Sequence, residues 1–237
     1  MKLQFLHIVS WIALVAYHIP MIFVILKKLW KDTPILMFAL YWSVGGITNL
    51  AGNLDFISAG AYRSITVVHN MLDVPFVLFI FMLNTNVPKI RSMSRVMIPF
   101  YLFVEIIIGF ISGFKPESFN YMNGVGVLFI IAVTVMEVIE YFKKMSHTDR
   151  EKATIFLFFA LLFEYMSYLF VYLVAKYWKN DEPDPESEPD EMIIYYVSTL
   201  LGIIIACFGF MSDNLRKKAI KAPSAPRPHE VLISIID

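Results

Sequence analysis

The chain has 237 residues, 58% of them hydrophobic and only 17% charged, with a mean hydropathy of +0.64. Soluble domains run about 45–50% apolar and about 25% charged, so water cannot solvate this much apolar side chain and a soluble globular protein is excluded. Twenty basic and twenty acidic residues cancel, and there is one cysteine, Cys207; a nucleic-acid partner, a disulfide framework and a Cys-rich zinc site lose their support.

A helix needs about 20 mostly apolar residues to cross a hydrocarbon core roughly 30 Å thick. Seven runs meet that requirement, each ended by charge, proline or a polar cluster. The first, Gln4–Leu26, has no small-x-small cleavage site and ends in Lys27-Lys28, so it reads as a retained helix. His18 beside Pro20 predicts a hydrogen-bonded kink there. The second, Pro34–Leu54, carries Gly46, Asn49 and Asn53 on one face. In the third, Ser64–Leu83, the residues His69, Asn70 and Asp73 share a face and Pro75 follows. The fourth, Val96–Phe114, carries Glu105, and the fifth, Tyr121–Phe142, carries Glu137 with Glu140 nearer its end.

The sixth span, Thr154–Tyr177, sets Glu164, Ser167, Tyr168 and Tyr172 along one side. Its phenylalanines, Phe156, Phe158, Phe159, Phe163 and Phe170, are expected to face lipid. Between it and the seventh lies Asp181–Glu191, DEPDPESEPDE, with seven acids and three prolines in eleven residues. Such a run buries no core and predicts a solvated loop. The seventh span, Met192–Met211, aligns Tyr195, Ser198, Thr199 and Gly202. The fold class expected is an all-α, seven-helix integral membrane bundle over residues 1–213, followed by a basic, proline-containing tail over 214–237. The tail is too short for an output domain, so any signal has to pass through another chain.

Placement of charge sets the expected direction. Fifteen of the twenty Lys and Arg residues follow the first, third, fifth and seventh spans, and five lie on the other side. Cytoplasmic loops carry the Lys/Arg excess, which puts the N-terminus outside and the C-terminus inside, in a plasma or bacterial inner membrane. The basic tail is then attracted to anionic lipid.

Charge within a span is costly and usually faces the bundle interior. Asp73, Glu105 and Glu164 lie close to the midpoints of their predicted spans, with Glu137 displaced toward the cytoplasm. No Lys or Arg falls in the middle of a span to balance them; Lys176 stands at the very end of the sixth. These carboxyls are therefore either held neutral or paired with a cation. Asn49, Asn53, His69 and Asn70 fall in the outer half, so the simplest assembly is an outward-facing polar cavity floored by Asp73, Glu105 and Glu164. The same small and polar residues also serve as interhelical glue.

Known templates fit poorly. A retinal pigment needs a lysine in the last span, and Met192–Met211 has none. The third span ends LNTNVPKIR without the acid–arginine signature of G-protein-coupled receptors, and no convincing internal repeat marks a transporter. Three classes of function remain. The first is a receptor-like or sensory protein that binds a small ligand or cation and engages a cytoplasmic protein. The second is a proton- or cation-coupled transporter or channel. The third, a metal-dependent intramembrane hydrolase, would need His69 with Asp73 and Glu105 or Glu164 as ligands. No complete catalytic set is visible, and no cofactor is specified.

Overall fold

The computed structural model describes residues 2–54, 56–177 and 188–216, and among them every regular element is helical. The first span is two helices, α1 (Lys2–Ala16) and α2 (Ile19–Leu26). The others are α3 (Thr33–Ala51), α4 (Ala59–Asn84), α5 (Pro88–Ser112), α6 (Asn120–Lys143), α7 (Asp149–Tyr177) and α8 (Glu188–Met211). Together they supply seven segments long and apolar enough to cross a bilayer.

Several helices begin well before their apolar runs, opened by a proline in α5 and by polar caps in α4 and α7. Pro88 opens α5 eight residues ahead of the predicted start; its fixed φ and missing N–H suit a first helical turn. Thr148 and Glu151 form a reciprocal capping box ahead of α7. The Thr148 amide donates to Glu151 Oε2 at 2.8 Å, and the Glu151 amide donates to Thr148 Oγ1 at 3.2 Å. Ser58 Oγ accepts from the Ala61 amide at the start of α4. At its far end α5 stops at Gly113, whose φ of +84° suits a residue without a Cβ.

The expected irregularity at His18 is a full break between α1 and α2, with Pro20 in the first turn of α2. The imidazole makes no capping hydrogen bond; it packs on α3 instead. A Cβ at Gly46 would lie 2.6 Å from Tyr17 Cβ and 3.2 Å from His18 Nε2. Glycine is what lets the broken segment sit against α3.

Helix α8 packs against α7 and against α1 and α2; α4 packs against α3, α5 and α6. The α7–α8 contact is close at Gly209, where an added Cβ would meet Leu157 Cδ2 at 2.7 Å and the Ala153 carbonyl at 2.9 Å. Backbone cannot yield as a side chain does, so Gly209→Ala is expected to lower stability by about 1 kcal/mol, read as a reduced thermal midpoint in detergent.

One end of the bundle gathers the residues that follow spans one, three, five and seven. Arg150 grips Asp32 bidentately at 2.6 and 2.8 Å. Lys144 and Asn86 both donate to Glu151 Oε1, at 2.6 and 3.0 Å. Lys27 pairs with Asp213 and also donates to the Met211 carbonyl. We call this the basic end. The opposite, amino-terminal end carries the Arg63–Glu117 pair at 3.2 Å. Arg150→Lys keeps the charge but loses the planar fork, and is expected to reduce stability by about 1 kcal/mol in the same unfolding assay. Most of the acidic stretch over Asp181–Glu191, and the tail beyond Arg216, lie outside the described residues.

The half of the bundle toward the basic end is an aromatic core. Phe81 stacks on Phe158 at 4.9 Å, Phe38 meets Phe158 edge-on at 5.4 Å, and Trp42 meets Phe210 at 6.2 Å. Phe158 is thus a core residue, contrary to the expectation that the phenylalanines of the sixth span face lipid. It points inward one helical face away from Phe156 and Phe170, which are exposed.

Candidate functional site

Above the aromatic core, in the amino-terminal half, the helices part around a cavity of about 220 Å³. That is room for several waters or one small organic group. Its walls come from the break between α1 and α2 and from α3, α4, α6, α7 and α8. Two carboxyls, Asp73 and Glu164, face it together with His69, Asn70, Asn49 and six tyrosines: Tyr17, Tyr41, Tyr62, Tyr165, Tyr168 and Tyr195. No lysine or arginine lines it.

Spacing along the helices explains why these side chains converge. Tyr62, Thr66, His69 and Asp73 recur every three or four residues and lie on one stripe of α4; Tyr41, Gly45 and Thr48 do the same on α3. Asp73 sits fourteen residues after the start of α4 and eleven before its end. Glu164 is equally central in α7. Among the described residues each of these carboxyls accepts from one side chain. Tyr165 Oη donates to Asp73 Oδ2 at 2.7 Å, and Trp42 Nε1 donates to Glu164 Oε2 at 2.8 Å. Tyr41 lies against Tyr165 with ring centroids 6.4 Å apart, and the Tyr17 and Tyr195 hydroxyls meet at 3.4 Å. Asn123 Oδ1, also on the wall, accepts no hydrogen bond from the described residues.

Five of the eight residues singled out in the sequence therefore meet here: Asp73, Glu164, His69, Asn70 and Asn49. The other three do not. Glu105 does not floor the cavity; it lies past the midpoint of α5, which begins eight residues before its apolar run. The residue is fully buried off the cavity wall, and neither oxygen has a hydrogen-bond partner among the described residues. It still lies within Coulombic reach of Asp73, as does Glu164. Asn53 donates to the Asn49 carbonyl on the surface of α3. Glu137 belongs to the basic end, where it accepts from Thr85 Oγ1 at 2.5 Å. Thr85 Oγ1 in turn accepts from the Val87 amide, and Arg91 donates to the Thr85 carbonyl, so Glu137 anchors the α4–α5 turn.

Tyr17, Tyr41, Tyr62, Tyr165 and Asn123 escaped the sequence reading. Tyrosines in a membrane chain read first as interfacial anchors, and only the three- and four-residue spacing to Asp73 and Thr48 hinted otherwise. On the far side, Gly126 brings α6 against α4 and α5. A Cβ there would lie 2.5 Å from Val74 Cγ2 and 2.6 Å from Tyr101 Oη, the hydroxyl that donates to the Met122 carbonyl.

Among the described residues no group of three or more His, Cys, Asp or Glu side chains is placed to hold a metal ion. The expected His69–Asp73–Glu ligand set is not assembled as such. Comparison with protein-family models, with curated proteins and with solved structures gives no match.

Proposed function

We propose that this chain is a receptor-like membrane protein that binds a small organic cation in the tyrosine-lined cavity and engages a cytoplasmic protein through its basic end. One observation carries the reading: two carboxyls and six tyrosines converge on a cavity that no lysine or arginine lines. An ammonium group leaving water needs a counter-charge and a replacement for its hydration. Carboxylates supply the first, and aromatic faces supply the second at about 0.5–2 kcal/mol each. Asn123 Oδ1 adds an acceptor with no partner among the described residues. An anion would meet two carboxyls with no lysine or arginine to offset them.

The Lys/Arg excess supports an outside N-terminus, which opens the cavity to the exterior of a plasma or bacterial inner membrane. The aromatic core of Phe38, Phe81, Phe158 and Phe210 lies between the cavity and the basic end. It favours binding with transmission through the bundle over a continuous path. The test is thermal unfolding of the full chain in phosphatidylcholine nanodiscs with tetramethylammonium or with tert-butanol, which is similar in size but uncharged. Saturable stabilisation by tetramethylammonium alone is expected, rising as RT ln(1 + [L]/Kd). No stabilisation by tetramethylammonium, or equal stabilisation by both, overturns the reading.

A proton- or cation-coupled transporter using Asp73, Glu105 and Glu164 is the second reading, and the break at Tyr17–His18 favours it. Discontinuous helices build midplane sites in transporters, and Tyr17 lines this cavity. Tetramethylammonium or proton flux into liposomes, lost in Glu105→Gln and Glu164→Gln, selects it over the first.

A further inference from the structure

Tyr41, Thr48, His69 and Asp73 also line a second space of about 730 Å³ on the lateral surface of the bundle. This groove follows α4 from Ser64 to Phe79, about 22 Å of helix, between α3 and Ile98 of α5. Away from the four shared residues its lining is almost wholly apolar, with Val44, Val68, Leu72, Phe76 and Phe79 prominent. Val44, Val68 and Leu72 are 40%, 55% and 51% exposed on a surface that belongs to a membrane-crossing segment.

An apolar groove in a bilayer carries no information alone, since lipid tails fill it as readily as any ligand. This groove differs because four of its lining residues, Tyr41, Thr48, His69 and Asp73, also line the carboxyl-bearing cavity. We propose, on the basis of the cation-binding reading above, that the natural ligand is a single-chain alkylammonium amphiphile. Its head occupies the cavity beside Asp73, and its tail lies in the α3–α4–α5 groove. Charge complementarity selects the head: neither space is lined by a lysine or arginine, and Asp73 borders both. The shared border at Asp73 selects the tail, because the space beside it along α4 is lined by apolar side chains. The ligand enters from the bilayer, which concentrates it, while the groove adds close packing against Val44 and Leu72.

The experiment uses the full chain in phosphatidylcholine nanodiscs with tetramethylammonium, octyltrimethylammonium and octan-1-ol. Partition alone raises the apparent affinity of a longer chain, so groove variants rather than chain length decide. Val44→Phe and Leu72→Phe fill the groove from two different helices at exposed positions. Each is expected to weaken octyltrimethylammonium binding at least fivefold while changing tetramethylammonium binding less than twofold, which also reports that the variant is folded. Octan-1-ol is expected not to displace octyltrimethylammonium. If tetramethylammonium binds but neither variant weakens the octyl compound, or octan-1-ol displaces it fully, the amphiphile is wrong and the cation cavity stands. If neither ammonium compound binds saturably, the cavity reading fails and the amphiphile with it.

Discussion

Asp73→Asn is expected to weaken tetramethylammonium binding about 30- to 150-fold without unfolding the bundle. Asparagine is nearly isosteric and keeps an acceptor for Tyr165 Oη, which now donates to Asp73 Oδ2 at 2.7 Å, so the packing of α4 on α7 survives. What disappears is a formal charge at the point where the cavity and the lateral groove meet. At an effective dielectric constant near 20 and a separation of about 5 Å, a unit charge pair is worth about 3 kcal/mol. Part of that is offset when the carboxylate loses its own solvation, leaving about 2–3 kcal/mol. Glu164 remains on the opposite wall and keeps residual affinity. Because the two carboxyls share one ligand and one field, the double variant with Glu164→Gln is expected to lose less than the sum of the single losses. Calorimetric or thermal-shift titration of the purified variants measures both effects. Unchanged affinity in Asp73→Asn would remove the counter-charge from the site and with it the case for a cationic ligand.

The contrast between Asp73 and Glu105 locates what was legible in the sequence. Seven apolar runs with no lysine or arginine near their middles announce seven helices, because a bilayer leaves the backbone no other way to satisfy itself than a helix or a closed barrel. The stripe of His69, Asn70 and Asp73 was readable for the same reason: helical periodicity relates residues of one helix. Depth was harder. Glu105 lies mid-run when only the apolar residues are counted, yet α5 begins at Pro88 and the carboxyl falls seven residues from its end, off the cavity wall. Periodicity also says nothing of which stripes face one another. The convergence of Tyr17, Tyr41, Tyr165 and Tyr195 depends on the break before Pro20 and on Gly46 letting that break settle against α3. Glu137 looked like its neighbours in composition, but its partner is Thr85, fifty-two residues away in sequence. That kind of pairing is not encoded in local spacing.

Glu105 supplies the second large effect, and its sign is opposite to that of most core substitutions. Both carboxyl oxygens are buried without a hydrogen-bond partner among the described residues, and Tyr101, one turn earlier, gives its hydroxyl to the Met122 carbonyl instead. A buried polar group left without a partner costs about 1–3 kcal/mol. Methionine matches the length of glutamate, adapts to irregular space and requires no partner. Glu105→Met is therefore expected to stabilise the protein by about 2 kcal/mol, or roughly 4–8 °C in thermal midpoint for a chain of this size. Glu105→Gln, which keeps the polar atoms in place, should gain little. Tetramethylammonium affinity should change less than threefold in either variant, since Glu105 does not line the cavity. A fall in stability in Glu105→Met would mean that the carboxyl is satisfied in the membrane by something other than this chain. A rise in stability accompanied by loss of cation flux would mean that an energetically unfavourable group is retained for function, the usual trade-off at working sites. That pairing would favour the transporter over the receptor, because a receptor cavity defined by Asp73 and Glu164 has no need of a third carboxyl behind its wall.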